Sequence, residues 1–383
     1  MFCSEVRRFR NLVDHFDDII NSPNRFDMVN SYYDQIIHLM GESDAPDPNY
    51  FLECYGRMAI NSFNILDDND DVMGSACYLG PSIMNHSCKP NACVRFENQK
   101  NIVVRALEDM VSRDFSQIYI SYIDVMETTK RRQDHLMRNY YFLCECDRCL
   151  NREFERSLSC VQCAICGDEE SEVFVGKTDS SVNVEINEST LIDVEPCNKC
   201  NRIQTKKVME DYVEIYDVVR TQHDQTEFPF DLAKFCLQLM KRTPTFGTFH
   251  ILNIKCSECA FDGYLSEIAD CEKRLQVATE AQMPNKNSDN SKNTRSVAPK
   301  TVLEEALSVG LYLIAAHDKF SMHLWAKKAF FMKNVAEIEY KLNLMEDARS
   351  HATIANKILS IAKGKNSCDY MLDLSQNTCP KSP

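Results

Sequence analysis

No apolar run in the 383-residue chain is long enough to cross a bilayer, so a helical membrane anchor within it is excluded. The opening residues Met1-Phe2-Cys3-Ser4-Glu5-Val6-Arg7-Arg8 lack the apolar core of a secretory signal, and the chain reads as soluble and intracellular. Positive charge is also scarce. Lys and Arg number 43 against 57 Asp and Glu, a formal balance of -14, and no basic stripe is visible. Binding to a nucleic-acid phosphate backbone is therefore disfavoured, whereas an acidic surface attracts basic peptides. The acidic turn Asp67-Asp68-Asn69-Asp70-Asp71 lacks the Gly and the distal Glu of a calcium-binding loop and reads as solvated.

Cysteine, by contrast, is plentiful. In an intracellular chain nineteen cysteines, an odd number, point to metal ligation and buried thiols rather than a disulfide framework. Their spacing sharpens this. Cys144-x-Cys146-x2-Cys149 offers three thiolates at metal-binding spacing, and a closed zinc site needs a fourth ligand, for which Cys88, Cys93 and Cys160 are candidates. Further on, Cys163-x2-Cys166 and Cys197-x2-Cys200 form two knuckles around a polar, strand-like segment, the pattern of a zinc ribbon, with Cys160 left over. Cys256-x2-Cys259 has no second pair and is expected to be helical core.

Between these features lies a polar knot, Asn85-His86-Ser87-Cys88-Lys89-Pro90-Asn91, flanked by apolar Ile83-Met84 and Ala92-Cys93-Val94. It has no helical or strand period, so it reads as a loop, the kind of element that carries chemistry. Upstream, Leu12, Val13, Phe16, Ile19 and Ile20 share one helical face, and Met28, Val29, Tyr32, Tyr33, Ile36, Ile37 and Met40 another that stops at Gly41. Asp47-Pro48 caps a third helix running through Phe51, Tyr55, Ala59 and Phe63. Short strands follow at Cys77-Tyr78-Leu79, at 93–96 and 102–107 as a hairpin, and at 118–123 ending beside Tyr122. Residues 126–141 read as a helix whose many Lys and Arg form a solvated face.

The order of Asn-His-Ser-Cys-x-Pro-Asn, a strand ending in Ser121-Tyr122, a charged helix and Cys-x-Cys-x2-Cys resembles the SET domain of lysine methyltransferases, most closely the SET- and MYND-domain (SMYD) family. That resemblance implies an α+β fold: a helical insert over 1–71, a SET core with a pseudoknot over 72–126, and a zinc-binding post-SET segment over 127–150. A zinc-ribbon insertion over 151–207 and an all-α, tetratricopeptide-like domain over 208–363 follow, with a polar linker at 286–300 and a tail at 364–383. In the helical domain one face is Leu303, Leu307, Leu311 and Ile314. Trp325 with Phe330 and Phe331 marks the next helix, and Ala348, Ala352, Ala355 and Leu359 the last.

The resemblance further implies S-adenosylmethionine and zinc as cofactors, a basic lysine-containing protein or peptide (histone or not) as substrate, a role in chromatin regulation, and a location in nucleus and cytoplasm. Protein partners would bind the helical domain. Tyr122 would be catalytic. Asn85, His86 (through its backbone), Phe142, Asn61 and Ser82 would bind cofactor, and Phe63 and Tyr140 would wall the lysine channel. Cys88 would be the fourth ligand of Cys144, Cys146 and Cys149. The chain departs from the family where a Gly-Glu-Glu-Leu segment usually precedes the tyrosine strand, and it lacks the initial Gly-x-Gly turn and the MYND zinc module. Two expectations follow: a protein-lysine methyltransferase, impaired if part of the cofactor pocket is missing, or a zinc-stabilised interaction scaffold that has lost catalysis.

Overall fold

The structure, a computed structural model, describes residues 9–66, 72–97, 100–109, 114–168, 170–176, 182–187, 190–225, 229–242, 245–281, 298–320 and 326–362. The chain forms two compact units divided after residue 150. No described helix is long and apolar enough to cross a membrane.

The first unit begins with helices α1 (Phe16–Ile20), α2 (Pro23–Met40) and α3 (Pro48–Asn61). Ile19, Val29 and Leu52 are buried between them, with Phe16, Phe26, Phe51, Tyr55 and Tyr141 packed around. The Asp47 carboxylate accepts the N–H groups of Asn49 and Tyr50, and Pro48 fills the first helical position, so α3 starts where the sequence places it. Its end differs. The Asn61 amide bonds back to the Arg57 carbonyl and across to that of Val13, and the chain turns extended at Ser62. Phe63 therefore lies on strand β1 (Ser62–Leu66), not on the helix. Gly56 is required on α3, since a Cβ there would stand 2.0 Å from the Asp14 carbonyl oxygen.

Strand β1 pairs antiparallel with β2 (Val72–Cys77), so Tyr78 and Leu79 fall outside the strand expected for them. Strand β3 (Asn85–His86) runs parallel to β6 (Tyr119–Ile120), and β4 (Ala92–Glu97) and β5 (Asn101–Ala106) form the expected hairpin. The tyrosine strand is shorter than its β-branched sequence suggests, because β3 offers only two residues to pair with. Asn91 holds its start: the side-chain oxygen accepts the Tyr119 N–H at 2.8 Å and the amide donates to the Gln117 carbonyl. Helix α4 (Thr129–Tyr140) starts three residues later than expected and ends at Tyr141, which takes a left-handed conformation with φ 59°. The short helix α5 (Asp147–Leu150) closes the unit.

The second unit opens with α6 (Arg152–Ser159). Paired strands β7 (Cys160–Val161) and β8 (Val173–Phe174), and β9 (Val182–Asn187) and β10 (Thr190–Val194), come next. Among the described residues six helices follow: α7 (Lys206–His223), α8 (Phe230–Met240), α9 (Ile251–Ala281), α10 (Lys300–Lys319), α11 (Ala326–Lys341) and α12 (Met345–Ala362). From α8 onward each packs on the next.

Small residues make the helix contacts close. Ala348, Ala352, Ala355 and Leu359 are buried on α12 as expected. On α10 the buried stripe is Leu303, Ala306, Gly310, Leu313, Ile314 and His317, while Leu311 is exposed. The stripe shifts because Gly310 lies against Val335 and Phe261, where no side chain fits. Phe331 is buried and Phe330 exposed. Both Cys256 and Cys259 lie on α9 as expected, Cys256 buried in the core and Cys259 half-buried. The leftover Cys160 is buried too, directly beneath Gly247. The linker expected over 286–300 gives way to structure by Ala298, which is buried. The Asp67 to Asp71 turn, Trp325, the rest of that linker and the tail lie outside the described residues.

Candidate active site and metal centres

The two-residue pairing of β3 with β6 brings together segments more than thirty residues apart. Its register, Asn85 opposite Tyr119 and His86 opposite Ile120, leaves Tyr122 just past the end of β6. There the Tyr122 hydroxyl donates to the Met84 carbonyl, immediately before Asn85. Its ring lies 5.0 Å from that of Tyr140, 5.2 Å from His86 and 6.4 Å, edge-on, from Phe142. The Tyr140 hydroxyl donates to the Tyr122 carbonyl at 3.4 Å. Burial, with Tyr140 adding a smaller push, raises the Tyr122 phenol to about 12.

These groups face an open cavity of about 1690 Å³ in the first unit. Asn61, Phe63, Ser82, Asn85, His86, Tyr122, Tyr140 and Phe142 all line it. Asn61 and Ser82 are also structural: Ser82 Oγ donates to the carbonyls of Asn61 and Tyr78. Phe63 packs against Tyr78 on one side of the Met84, Ala92 and Ile120 core. The cavity exceeds the usual size for one small ligand and can admit both a cofactor and a long side chain. Asp124, Glu145 and Asp147 stand on its wall, with Lys89.

Beside this cavity the sulfurs of Cys88, Cys144, Cys146 and Cys149 lie within 4.8 Å of one another. Cys88 Sγ is 4.0 Å from Cys144 and 3.6 Å from Cys149. A tetrahedral zinc with bonds of about 2.3 Å puts its sulfurs about 3.8 Å apart, so the four fit that ion. Of the three candidates for the fourth position, Cys88 is the one in the cluster. Cys93 sits on β4 opposite Arg105, and Cys160 belongs to the second unit. Mutual hydrogen bonds among the four sulfurs push Cys144 and Cys146 below the usual thiol range and Cys88 and Cys149 above it, so without a metal ion the cluster holds its negative charge by sharing protons.

Two cations attend the cluster that sequence reasoning missed. Arg132 is buried, not part of a solvated face: its guanidinium donates to Cys149 Sγ at 3.5 Å, to Thr129 Oγ1 and to the Glu127 carbonyl. Burial would lower Arg132, but the Cys88 and Cys149 sulfurs outweigh it and the group rises. Arg148, also buried, donates to the Cys88 carbonyl at 3.2 Å, and burial followed by repulsion from Arg132 pushes it down to about 10. Two guanidiniums held close together need an anion, and four thiolates around a divalent ion carry a charge of −2. One signal was available: Arg132 lies four residues before buried Leu136 and eight before Tyr140, on the inward stripe of α4.

The second cluster, Cys163, Cys166, Cys197 and Cys200, also lies within 4.8 Å. Cys163 and Cys200 are 3.7 Å apart, and Cys166 and Cys197 3.9 Å, again the edges of a zinc tetrahedron. Burial raises the Cys163 thiol, but the backbone N–H groups of Cys166 and Ile165 and the Gln204 amide, 3.1 Å away, bring it down to about 6.

Residues 7–123 match the SET domain family, so the first unit carries a SET domain. The chain is 30% identical over 156 residues to the N-lysine methyltransferase SMYD2 of Rattus norvegicus, covering 40% of this chain and 34% of that one. It is 37% identical over 116 residues to the histone-lysine N-methyltransferase ASHR1 of Arabidopsis thaliana, covering 30% and 24%. SMYD2-A of Danio rerio matches at 30% over 150 residues, 38% and 33%. The chain thus spans a quarter to a third of the length of these curated relatives.

Proposed function

We propose that this chain is an S-adenosylmethionine-dependent protein-lysine N-methyltransferase. The observation that carries the reading is the Tyr122 hydroxyl, anchored to the Met84 carbonyl on the wall of an aromatic-lined cavity. The hydroxyl proton is committed to that carbonyl, so its oxygen lone pairs are left to accept an N–H from a substrate amine and aim the nitrogen lone pair. With its pKa near 12, Tyr122 stays neutral across the range in which an amine loses its proton. S-adenosylmethionine, when bound, supplies an electrophilic methyl group on a sulfonium. Asn85 would hold its amino-acid end, His86 its adenine through backbone groups and Phe142 its adenine by stacking, with Asn61 and Ser82 on the same wall. Phe63 and Tyr140 would enclose the lysine chain, since aromatic faces tolerate an amine in all its charge states.

Asp124, Glu145 and Asp147 on the wall favour a basic peptide, histone or otherwise. Zinc at both cysteine clusters would have a structural role. The α8 to α12 succession, in which each helix packs on its neighbour, supports a tetratricopeptide-like domain for protein partners. Action on chromatin, in nucleus and cytoplasm, belongs to the same reading.

Isothermal titration with S-adenosylmethionine, followed by transfer of a labelled methyl group to a lysine-rich histone peptide, tests the reading. Binding and transfer are expected, with kcat lowered at least about a hundredfold by Tyr122→Phe, on the order of 3 kcal/mol of transition-state stabilisation. No heat with zinc-loaded, folded protein would overturn it and leave a zinc-stabilised scaffold.

A further inference from the structure

The parallel pairing that delivers Tyr122 ends two residues before it. β6 is Tyr119–Ile120, and the last backbone bond across the crossing runs from the Ser87 N–H to the Ile120 carbonyl at 3.0 Å. Beyond that point the Tyr122 N–H goes to a side chain: His86 Nδ1 accepts it at 3.1 Å. Because Nδ1 is an acceptor, the ring proton sits on Nε2, and Nε2 lies 3.3 Å from Cys88 Sγ. His86 is about nine-tenths buried, and its ring is held between Tyr122 at 5.2 Å and Phe142 at 6.0 Å.

One imidazole therefore touches a thiolate of the candidate metal centre with one nitrogen and the backbone of the candidate catalytic residue with the other. We propose that His86 is a positioning residue that transmits the geometry of the Cys88, Cys144, Cys146 and Cys149 metal centre to Tyr122. The inference rests on the methyltransferase reading above for what Tyr122 does, but not for the link itself. An N–H donated to a metal-bound thiolate fixes both the sulfur and the donor ring, because neither can turn without losing a bond in a water-poor site. With the ring fixed, Nδ1 becomes a stationary acceptor for Tyr122, and the hydroxyl reaches Met84 from a defined backbone position. The Cys88 that ligates the metal and the His86 that holds the tyrosine are only two residues apart, so the link needs no moving part.

Two substitutions separate the arms. In His86→Gln the amide nitrogen can take the place of Nε2 and keep the contact to Cys88, while the Nδ1 acceptor is lost. In His86→Asn the amide oxygen can take the place of Nδ1 and keep the Tyr122 N–H, while the contact to sulfur is lost.

The measurements are zinc release to a chelator, fluorine NMR of fluorotyrosine-labelled protein with Tyr122 assigned through Tyr122→Phe, and methyl-transfer kinetics. His86→Gln should release zinc at the wild-type rate, move the Tyr122 resonance, and lower kcat about tenfold with peptide KM within about twofold. His86→Asn should release one zinc about tenfold faster with the Tyr122 resonance in place. Identical behaviour of the two variants would overturn the proposal, since a merely structural histidine fails in one way.

A measurement on the unaltered chain guards against misfolding of the variants. With cadmium-113 in the metal sites, an NMR correlation between cadmium and the His86 Hε2 proton is expected, and its absence would also overturn the link. Zinc release, the fluorine signal and the cadmium correlation need no activity, so failure of the methyltransferase reading would be seen separately.

Discussion

The two cysteine clusters have the same four ligands and nearly the same sulfur spacings, yet they are built in different ways. Cys88 reaches Cys144 and Cys149 across 56 and 61 residues of chain, whereas Cys163 to Cys200 closes over two local knuckles. The first is attended by buried side chains that tie it to the rest of the unit: Arg132 from α4, His86 from the crossing, and Arg148, which bonds the Cys88 carbonyl. The second uses what lies beside it, with the Lys199 N–H on Cys197 Sγ, the Gln204 amide on Cys163 Sγ, and Cys166 exposed to water. A thiolate centre carries net negative charge wherever it forms. Near the cavity that charge is offset by buried cations, and in the ribbon by amide dipoles and solvent. A cluster of the first kind is inseparable from the site it adjoins, and one of the second kind is a self-contained module.

The widest separation between the two should come from removing a ligand in each. Cys88→Ala is expected to lose one zinc and to weaken S-adenosylmethionine binding at least about a hundredfold, because an unpaired crossing and two buried guanidiniums remain. Cys200→Ala should also lose one zinc but leave cofactor affinity within about threefold. Metal analysis with isothermal titration reads both, and equal losses of cofactor affinity would erase the distinction.

Next in size is the cation. Arg132→Met should lower zinc affinity at the first cluster about a hundredfold in chelator competition, on the order of 3 kcal/mol, and leave the second untouched. The corresponding neutral contact is worth less: Gln204→Ala removes the amide from Cys163 and the acceptor for the Ala164 N–H, an expected loss of about 1–2 kcal/mol in denaturant unfolding.

The smallest effect at neutral pH concerns the helical unit. His250 is fully buried, its Nδ1 accepting the Leu252 N–H and its Nε2 facing the Tyr212 hydroxyl, and burial lowers it to about 3. Between its ordinary value of 6.5 and about 3 the unfolded chain takes up a proton that the folded chain refuses. Stability from this group is thus complete above pH 6.5 and falls as pH falls through that window. Unfolding followed from pH 7 to 4 should show this slope, and His250→Asn should flatten it.

Local chemistry was readable in the residues themselves, whereas the joining of Cys88 to Cys144, Cys146 and Cys149 was legible only through the family resemblance. Asp47-Pro48 announced the start of α3, the β4 and β5 hairpin followed from alternation, and the two knuckles of the ribbon were visible as spacing alone. Phe63 continued a helical apolar period past the point where the Asn61 amide turned back on its own helix, so tertiary bonds overrode periodicity. Arg132 was hidden because its partner sulfurs lie outside α4, and charge alone reads as solvent-facing. The part of His86 was hidden as well: the motif named the residue, but only the crossing reveals that its ring meets both Cys88 and Tyr122.

The left-handed residue at the end of α4 has a consequence for the whole first unit. Tyr140, Tyr141 and Phe142 are neighbours in sequence, and an uninterrupted helix would have fanned them a third of a turn apart on one rod. Reversing the twist at Tyr141 sends its ring toward Arg25 and His15 in the helical layer, with the Arg25 guanidinium donating to its hydroxyl at 2.8 Å. Tyr140 and Phe142 are left facing Tyr122 and His86. A single bulky residue in a conformation that L-amino acids avoid thus acts as a hub, from which one aromatic triplet holds the helical layer on one side and the Tyr122 and His86 pair on the other.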